Sequence, residues 1–369
     1  MLSRLYRRER RRVWPAEGTF GASARLVLFA GVFLLSACAG SGEPLLIDDP
    51  CWQVPAGGGL PVDLRCTGLY ADWAAKTVGL DVQPFAPGTP LWSDGARKQR
   101  WIQLPAGATI DTTNPDEWVF PVGTKAWKEF SLGARKVETR LFQKVSAERW
   151  LRTTYIWAAD ESSAQRRDRG VANFEGTGYS IPSVSDCDKC HEGRVDRLLG
   201  FEAISLAAAD EVGPAGTQVT LASLIRQGRL SAPPPTAAVT LPAAIPAETR
   251  AAVAWLHVNC GVSCHNRASD STAMATQMFL RLETAHVAAA AAGDARALDA
   301  VATTVGVPAR IVKWSGSLRI APGSPIDSLL FRLATSRGNE QMPPLLSHIP
   351  DPEGTRVLRT WIASLGQVP

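Results

Sequence analysis

Seven cysteines, at positions 38, 51, 66, 187, 190, 260 and 264, constrain this chain more than any other feature. Two pairs are close in sequence, and each is followed at once by a histidine. Cys187-Asp188-Lys189-Cys190-His191 has two residues between its thiols; Cys260-Gly261-Val262-Ser263-Cys264-His265 has three. A pair of thiols with a histidine beside the second is a donor set for a metal or for a covalently held cofactor.

Cys-x-x-Cys-His is the attachment pattern for c-type haem, in which the thiols take the two vinyl groups and the histidine binds iron. The segment 187–191 fits it. The alternatives are a redox Cys-x-x-Cys, which wants a βαβ context that the surrounding sequence lacks, and half of a zinc site, which wants two further local ligands. The second motif is one residue too long, so a haem there requires a bulged loop. Read alone it also permits a disulfide, or a Cys2His2 zinc site made of His257, Cys260, Cys264 and His265.

The N-terminal residues combine a basic run, MLSRLYRRERRR, with the short apolar stretch LVLFAGVFLLSA (26–37). That stretch is too short for a permanent spanning helix and fits the apolar part of a secretory signal. It ends Leu35-Ser36-Ala37-Cys38, which resembles a bacterial lipobox, so lipidation at Cys38 is expected; an ordinary signal peptide or an uncleaved anchor is the alternative. Ala39, not Asp, follows, and nothing argues for inner-membrane retention. The expected location is the cell envelope, as a lipoprotein of the outer membrane facing the periplasm, held by its lipid anchor. Residues 1–37 carry seven Arg and two Glu, so their removal takes +5 from the formal charge of +4 and leaves −1. A chain so balanced has no basic signature for nucleic acid. In an oxidising compartment Cys51 and Cys66 are expected to pair as a disulfide, the alternative being two buried thiols.

The fold class expected is α+β and multidomain, with an N-terminal antiparallel β-sandwich-like domain followed by a mainly α-helical, cytochrome c-like haem region. The organisation reads as a signal peptide over 1–37, a tether over 38–48, a β-rich domain over 49–180, a first haem-binding segment over 181–231, a Pro/Ala linker over 232–246 and a cytochrome c-like domain over 247–369. Strands are predicted at 100–107, 117–123, 136–145 and 149–157, with 146–148 as a hairpin turn; alternation of Val137, Thr139, Leu141, Gln143 and Val145 suggests a half-buried strand. The β region holds no histidine. Helices are predicted over 221–227 and 247–258. Ser324-Pro325 is read as opening a third, with Ile326, Leu329, Leu330 and Leu333 on its apolar face. Asp351-Pro352 is read as opening the last, with Val357, Leu358, Trp361, Ile362 and Leu365 on one side. Residues 289–300 read as a flexible or helical insert.

From 247 onward the order is helix, Cys-His motif, variable middle, helix, Met342-Pro343-Pro344, final helix, which resembles a class I cytochrome c domain. Met342 is therefore a candidate thioether ligand to iron, with a buried core methionine as the alternative. A wider resemblance rests on PLWSDGARKQRWIQLP (90–105), FPVGT (120–124), VETRL (137–141), PSVSDCDKCH (182–191), LLGFE (198–202), WLHVNCGVSCHN (255–266), APGSPIDSLLFRL (321–333) and MPPLLSHIPDPEGTRVLRTWIASL (342–365). Over about residues 80–365 the chain resembles a family of bacterial two-haem c-type cytochromes, some associated with quinoprotein dehydrogenases. The resemblance implies two covalent haem c groups, at Cys187/Cys190 and Cys260/Cys264, with His191 and His265 proximal and Met342 distal. The family's usual second motif is Cys-x-x-Cys-His, from which this chain departs by one residue.

The sixth ligand of the first haem is open. His257 is a possible iron ligand, or else packs beside the second haem or bonds one of its propionates. Met274 and Met278 read as core residues, His286 and His348 as surface or supporting ones. The function expected is electron transfer between a periplasmic redox partner, such as a dehydrogenase, and an acceptor. The alternative is a haem enzyme such as a dihaem peroxidase, with one open iron and Glu192, Glu202 or a β-domain residue handling protons. A third reading makes the β domain an interaction module.

Overall fold

WLRTTYIW and its neighbours are dense in β-branched and aromatic residues, and they pair as adjacent antiparallel strands. The computed structural model describes Cys51 and residues 59–366, apart from 192–193 and 214–215. The expected signal peptide, Cys38 and the tether lie outside the described residues. After the hairpin β1 (Tyr70–Asp72) and β2 (Thr77–Val78), the strands β3 (Gln83–Pro84), β4 (Arg97–Gln103), β5 (Lys125–Leu132), β6 (Arg135–Lys144), β7 (Trp150–Trp157) and β8 (Ala164–Arg167) form one sheet. Its order is the order of the chain, an antiparallel meander. The fold is α+β, as expected, but the β part is one six-stranded sheet beside small two-stranded pieces, not two packed sheets. A further small pair, β9 (Val212–Gly213) and β10 (Gly216–Thr217), lies between the helices.

The helices are α1 (Val184–His191), α2 (Ala203–Ala207), α3 (Leu221–Arg226), α4 (Ala247–Leu256), α5 (Thr284–Ala289), α6 (Asp299–Ala302), α7 (Leu329–Thr335) and α8 (Pro352–Ser364). Among the described residues no helix is long and apolar enough to cross a membrane. Each face of the sheet is covered, which corrects the half-buried expectation for β6. On one face Trp101, Trp127, Leu141, Tyr155 and Trp157 pack under Leu60, Leu64, Leu69 and Val82. On the other, Ile102, Ala126, Phe142 and Trp150 belong to a single apolar cluster with Cys187, Leu198 and Phe201 that continues to Leu256 and Trp361. Val239 and Ile245, within the expected linker, join the same cluster. The segments on either side of 232–246 therefore share one apolar core.

Two predicted elements are corrected. Residues 117–123 are not a strand: only Val119 bridges, to Asp111, Phe120 N–H donates to Asp196 at 2.7 Å, and Pro121 begins a turn closed by Thr124. The strand lies just beyond, at β5, where Lys128 and Glu129 hide the apolar pattern. The helix read from Ser324 begins only at Leu329, because Ser324 and Ser328 bridge to neighbouring chain. Leu329, Leu330 and Leu333 are buried as expected, but Ile326 is 72% exposed.

The last helix follows its sequence signals. Asp351 caps it by accepting from Glu353 N–H at 3.0 Å, and Pro352 fills its first turn. It packs on α4 so closely that a Cβ on Gly354 would lie 2.2 Å from the Trp255 ring. The indole N–H of Trp255 donates to Asp351 at 2.8 Å.

Candidate functional site

The first motif lies on α1, whose start is set locally. Ser183 and Asp186 form a capping box: Asp186 N–H donates to Ser183 Oγ at 3.2 Å and Ser183 N–H to Asp186 Oδ2 at 3.1 Å. The helix lies against the sheet. Arg152 of β7 pairs with Asp188, between the two cysteines, and the His191 ring stacks on Phe142 of β6 with centroids 4.5 Å apart. The chain after the motif is held by a buried ion pair, Lys144 Nζ to Asp196 at 2.6 Å; Asp196 also accepts from the Trp150 indole and from Phe120 N–H.

The second motif follows α4 through a π-helical turn, His257–Gly261. Val262 N–H donates to His257 O at 2.8 Å and His265 N–H to Cys260 O at 2.9 Å, both spanning five residues. The wide turn takes up the extra residue of Cys-x3-Cys-His. Gly261 is required there, since a Cβ would lie 2.4 Å from Arg281 N.

The two motif histidines are held alike. His191 Nδ1 lies 2.5 Å from Arg197 O, and His265 Nδ1 lies 3.2 Å from Met278 O. A carbonyl only accepts, so Nδ1 carries the proton in both rings and Nε2 keeps its lone pair. Burial pushes His191 down to about 3, with Lys128, Arg140 and Arg152 adding to it against the Arg197 bond. Burial likewise pushes His265 down to about 4. Both imidazoles are therefore neutral near pH 7, the state that binds iron. Such an Nδ1–carbonyl bond is the usual support of a metal-binding histidine.

The four motif thiols are free. Burial raises Cys187; burial together with the charge of Cys264 raises Cys260 to about 12 and Cys190 to about 11. Thiols held protonated in this way do not suit dithiol exchange, which runs on a lowered pKa. The charge of Cys264 is thus felt at Cys190, from one motif to the other.

Cys260, His265 and Met342 line one cavity of ≈ 1070 Å³, its open mouth included, with Trp92, Trp255 and Trp314 among its walls. Arg310, Arg319 and Arg337 are its cationic residues. Arg337 Nε and Trp314 Nε1 are buried without a partner. One neutral imidazole, one thioether, apolar walls and guanidinium groups together fit a flat tetrapyrrole with two carboxylates. Cys264 does not line the cavity. The Met342 loop is held by Met342 N–H to Leu333 O at 2.9 Å and by Arg337 to Ser347 Oγ at 2.9 Å. Asp94 accepts from the backbone of His348 and Ile349, and His348 Nε2 meets Ser180 Oγ at 2.9 Å.

His257 is not placed as an iron ligand. It is 2% exposed; its Nδ1 accepts from Leu282 N–H at 3.0 Å, which leaves Nε2 to donate to Glu202 at 3.2 Å. The zinc alternative is not assembled either. Among the described residues, the only three or more His, Cys, Asp or Glu ligand atoms brought together are those of Glu283, His286 and Asp299. Glu202, offered as a proton-handling acid, instead caps α2 by accepting from Ile204 and Ser205 N–H at 2.9 and 3.0 Å. Glu192 lies outside the described residues. Met278 supports His265 through its carbonyl, and Met274 sits in a short 3-10 turn.

Cys51 and Cys66 form the expected disulfide, S–S 2.12 Å. The contribution of β6 and β7 to the first site, through Phe142 and Arg152, was not read from the sequence. A charged residue on a strand of the β region reads as solvent-facing, and PLWSDGARKQRW (90–101) gave no hint that Leu91 and Trp92 serve the second cavity. No family model, curated protein or solved structure matches the chain.

Proposed function

We propose that the chain is a two-haem c-type cytochrome that carries electrons, with haem c attached at Cys187/Cys190 and at Cys260/Cys264. The observation that carries this reading is the shared state of His191 and His265: each is neutral, fixed through Nδ1–H to a backbone carbonyl, and offers a free Nε2 beside a thiol pair. When bound, each haem supplies the one-electron chemistry of its iron, tuned by axial ligand and burial.

The chain's own residues orient and insulate. Arg197 O and Met278 O fix the two ring tautomers. Met342 offers a soft sulfur in the same largely apolar cavity as His265, which favours a thioether-bound, high-potential site. The charge of Cys264 reaches Cys190, which supports a short route for an electron between the two attachment points. The cytochrome c-like character of 247–369 rests on the same arrangement, together with the α4–α8 packing that closes it. The reading extends to an exported lipoprotein anchored at Cys38, facing the periplasm and exchanging electrons with a dehydrogenase or another redox protein.

The peroxidase alternative is weaker, because Glu202 is committed to His257 and to the α2 cap. The test is a potentiometric titration of the mature protein followed by electron paramagnetic resonance, with a peroxide-turnover assay beside it. Two one-electron steps from low-spin iron without turnover are expected; a high-spin iron with rapid peroxide consumption contradicts the carrier reading.

A further inference from the structure

We propose that the row Arg100, Lys128 and Arg140, with Lys98 beside it, is the wall that receives the two carboxylates of the first tetrapyrrole, so that the sheet and α1 together form the first haem site. This rests on the haem reading for Cys187 and Cys190. In the sheet register Arg100 lies opposite Lys128, and Lys128 opposite Arg140. Three cationic side chains therefore leave one face of three adjacent strands, and Lys98, two residues before Arg100, leaves the same face. Like charges directly opposite one another destabilise a sheet, so such a row needs something to hold it.

The protein's own acids do not supply it. Glu138 serves Arg140, at 2.9 Å and 2.5 Å, and accepts from the Tyr179 hydroxyl at 2.6 Å. Among the described residues Lys98, Arg100 and Lys128 enter no ion pair. Lys98 Nζ donates to Leu91 O. Lys128 Nζ lies 5.2 Å from the Phe130 ring centroid, and neither Lys128 nor Arg100 has a side-chain hydrogen bond among the described residues. Glu138 is thus the one carboxylate paired within the row, while Asp94 and Asp351 act on Lys98 through charge alone. Burial drives Lys128 well below its ordinary range, Lys98 to about 6 and Arg100 to about 10, with mutual repulsion adding to burial for the two lysines.

The row lies beside the motif. Phe142, which stacks on His191, is two residues from Arg140 on the same strand face, about 7 Å along β6. Arg152, opposite Phe142, pairs with Asp188 inside the motif. The charges of Lys128 and Arg140 act on both Cys190 and His191. A cofactor fixed at α1 and ending in two carboxylates meets both demands, position and charge. The sheet is then part of the haem site, not a separate docking module.

The experiment uses the full chain matured with haem-attachment machinery, the variants Lys128→Gln and Arg100→Gln, and Lys128→Arg as the charge-conserving control. Peptide mass mapping first counts haem on the Cys187/Cys190 peptide. Resonance Raman then reads the propionate bands, and a redox titration reads the first haem's potential. In the wild type the propionate bands should be those of charge-bound carboxylates, a readout that needs no variant. Both Gln variants should keep the haem, shift those bands and disfavour the reduced form about tenfold, about 59 mV for one electron; Lys128→Arg should stay near the wild type. Unchanged bands and potential in both Gln variants, with haem present, overturn the proposal. A change of the first iron from low to high spin in Lys128→Gln also overturns it, because Lys128 would then be an iron ligand. Absence of haem from the wild-type Cys187/Cys190 peptide overturns instead the haem reading beneath it.

Discussion

Gly261 lies against the backbone of Arg281 so closely that a Cβ on it would stand 2.4 Å from Arg281 N and 2.5 Å from its Cα. That contact holds the wide turn which absorbs the extra residue of the second motif. Gly261→Ala is therefore expected to destabilise the protein by about 2 kcal/mol or more, since the neighbour is backbone and cannot rotate away. Denaturant unfolding measures this, and the second thiol pair should lose its haem in the same variant.

Asp196 holds Lys144 where both side chains are almost fully buried, 3% and 1% exposed. Asp196→Ala leaves a buried ammonium without a partner and should cost about 3–5 kcal/mol. Replacing both residues, Lys144→Met with Asp196→Leu, should recover much of that loss. A double-mutant cycle by urea unfolding checks the difference.

Glu202 makes the acid limb of stability predictable. Burial raises its carboxyl, but the bonds from His257 and Ser205 and the charge of Arg194 outweigh burial and hold it well below its ordinary 4.5. For a depressed acid, stability is fully present above the unfolded value and is lost as pH falls through the lower folded value. Thermal midpoints should therefore fall with pH below about 4.5, the ordinary carboxylate range, and this slope should be shallower in Glu202→Gln. The variant should also be less stable at neutral pH by about 1–3 kcal/mol, having lost charge-assisted bonds.

Met342 shares its cavity with His265. Met342→Ala should leave haem attachment unchanged, lower one of the two reduction potentials and open that iron to small ligands. Carbon monoxide binding to the reduced protein, compared with the wild type, measures the opening.

Much of the α-helical region was legible because its signals are local. Asp351-Pro352 starts α8 as read, and α4 leads into the second motif. The Ser324-Pro325 signal misled, since a serine before proline also begins a turn, and there bridges to neighbouring chain decided the outcome. The β region was harder for a physical reason. Pattern reading assumes one wet face, but β5 and β6 are covered on both, so that Glu138 and Lys144 are buried on the side read as facing solvent. Lys144 holds Asp196 after the first motif and Glu138 holds Arg140 within the sheet, which is why the contribution of the sheet was missed. The cysteine-histidine motifs declared themselves by spacing, but the effect of Cys264 on Cys190 spans a chain separation of more than seventy residues, which no local pattern records.

Peptide mass mapping of the mature, haem-loaded protein distinguishes two attachment sites from one. Two haem adducts are expected, one on the peptide holding Cys187 and Cys190 and one on the peptide holding Cys260 and Cys264. A single adduct at the first pair, with Cys260 and Cys264 unmodified or joined to each other, would contradict the two-haem reading.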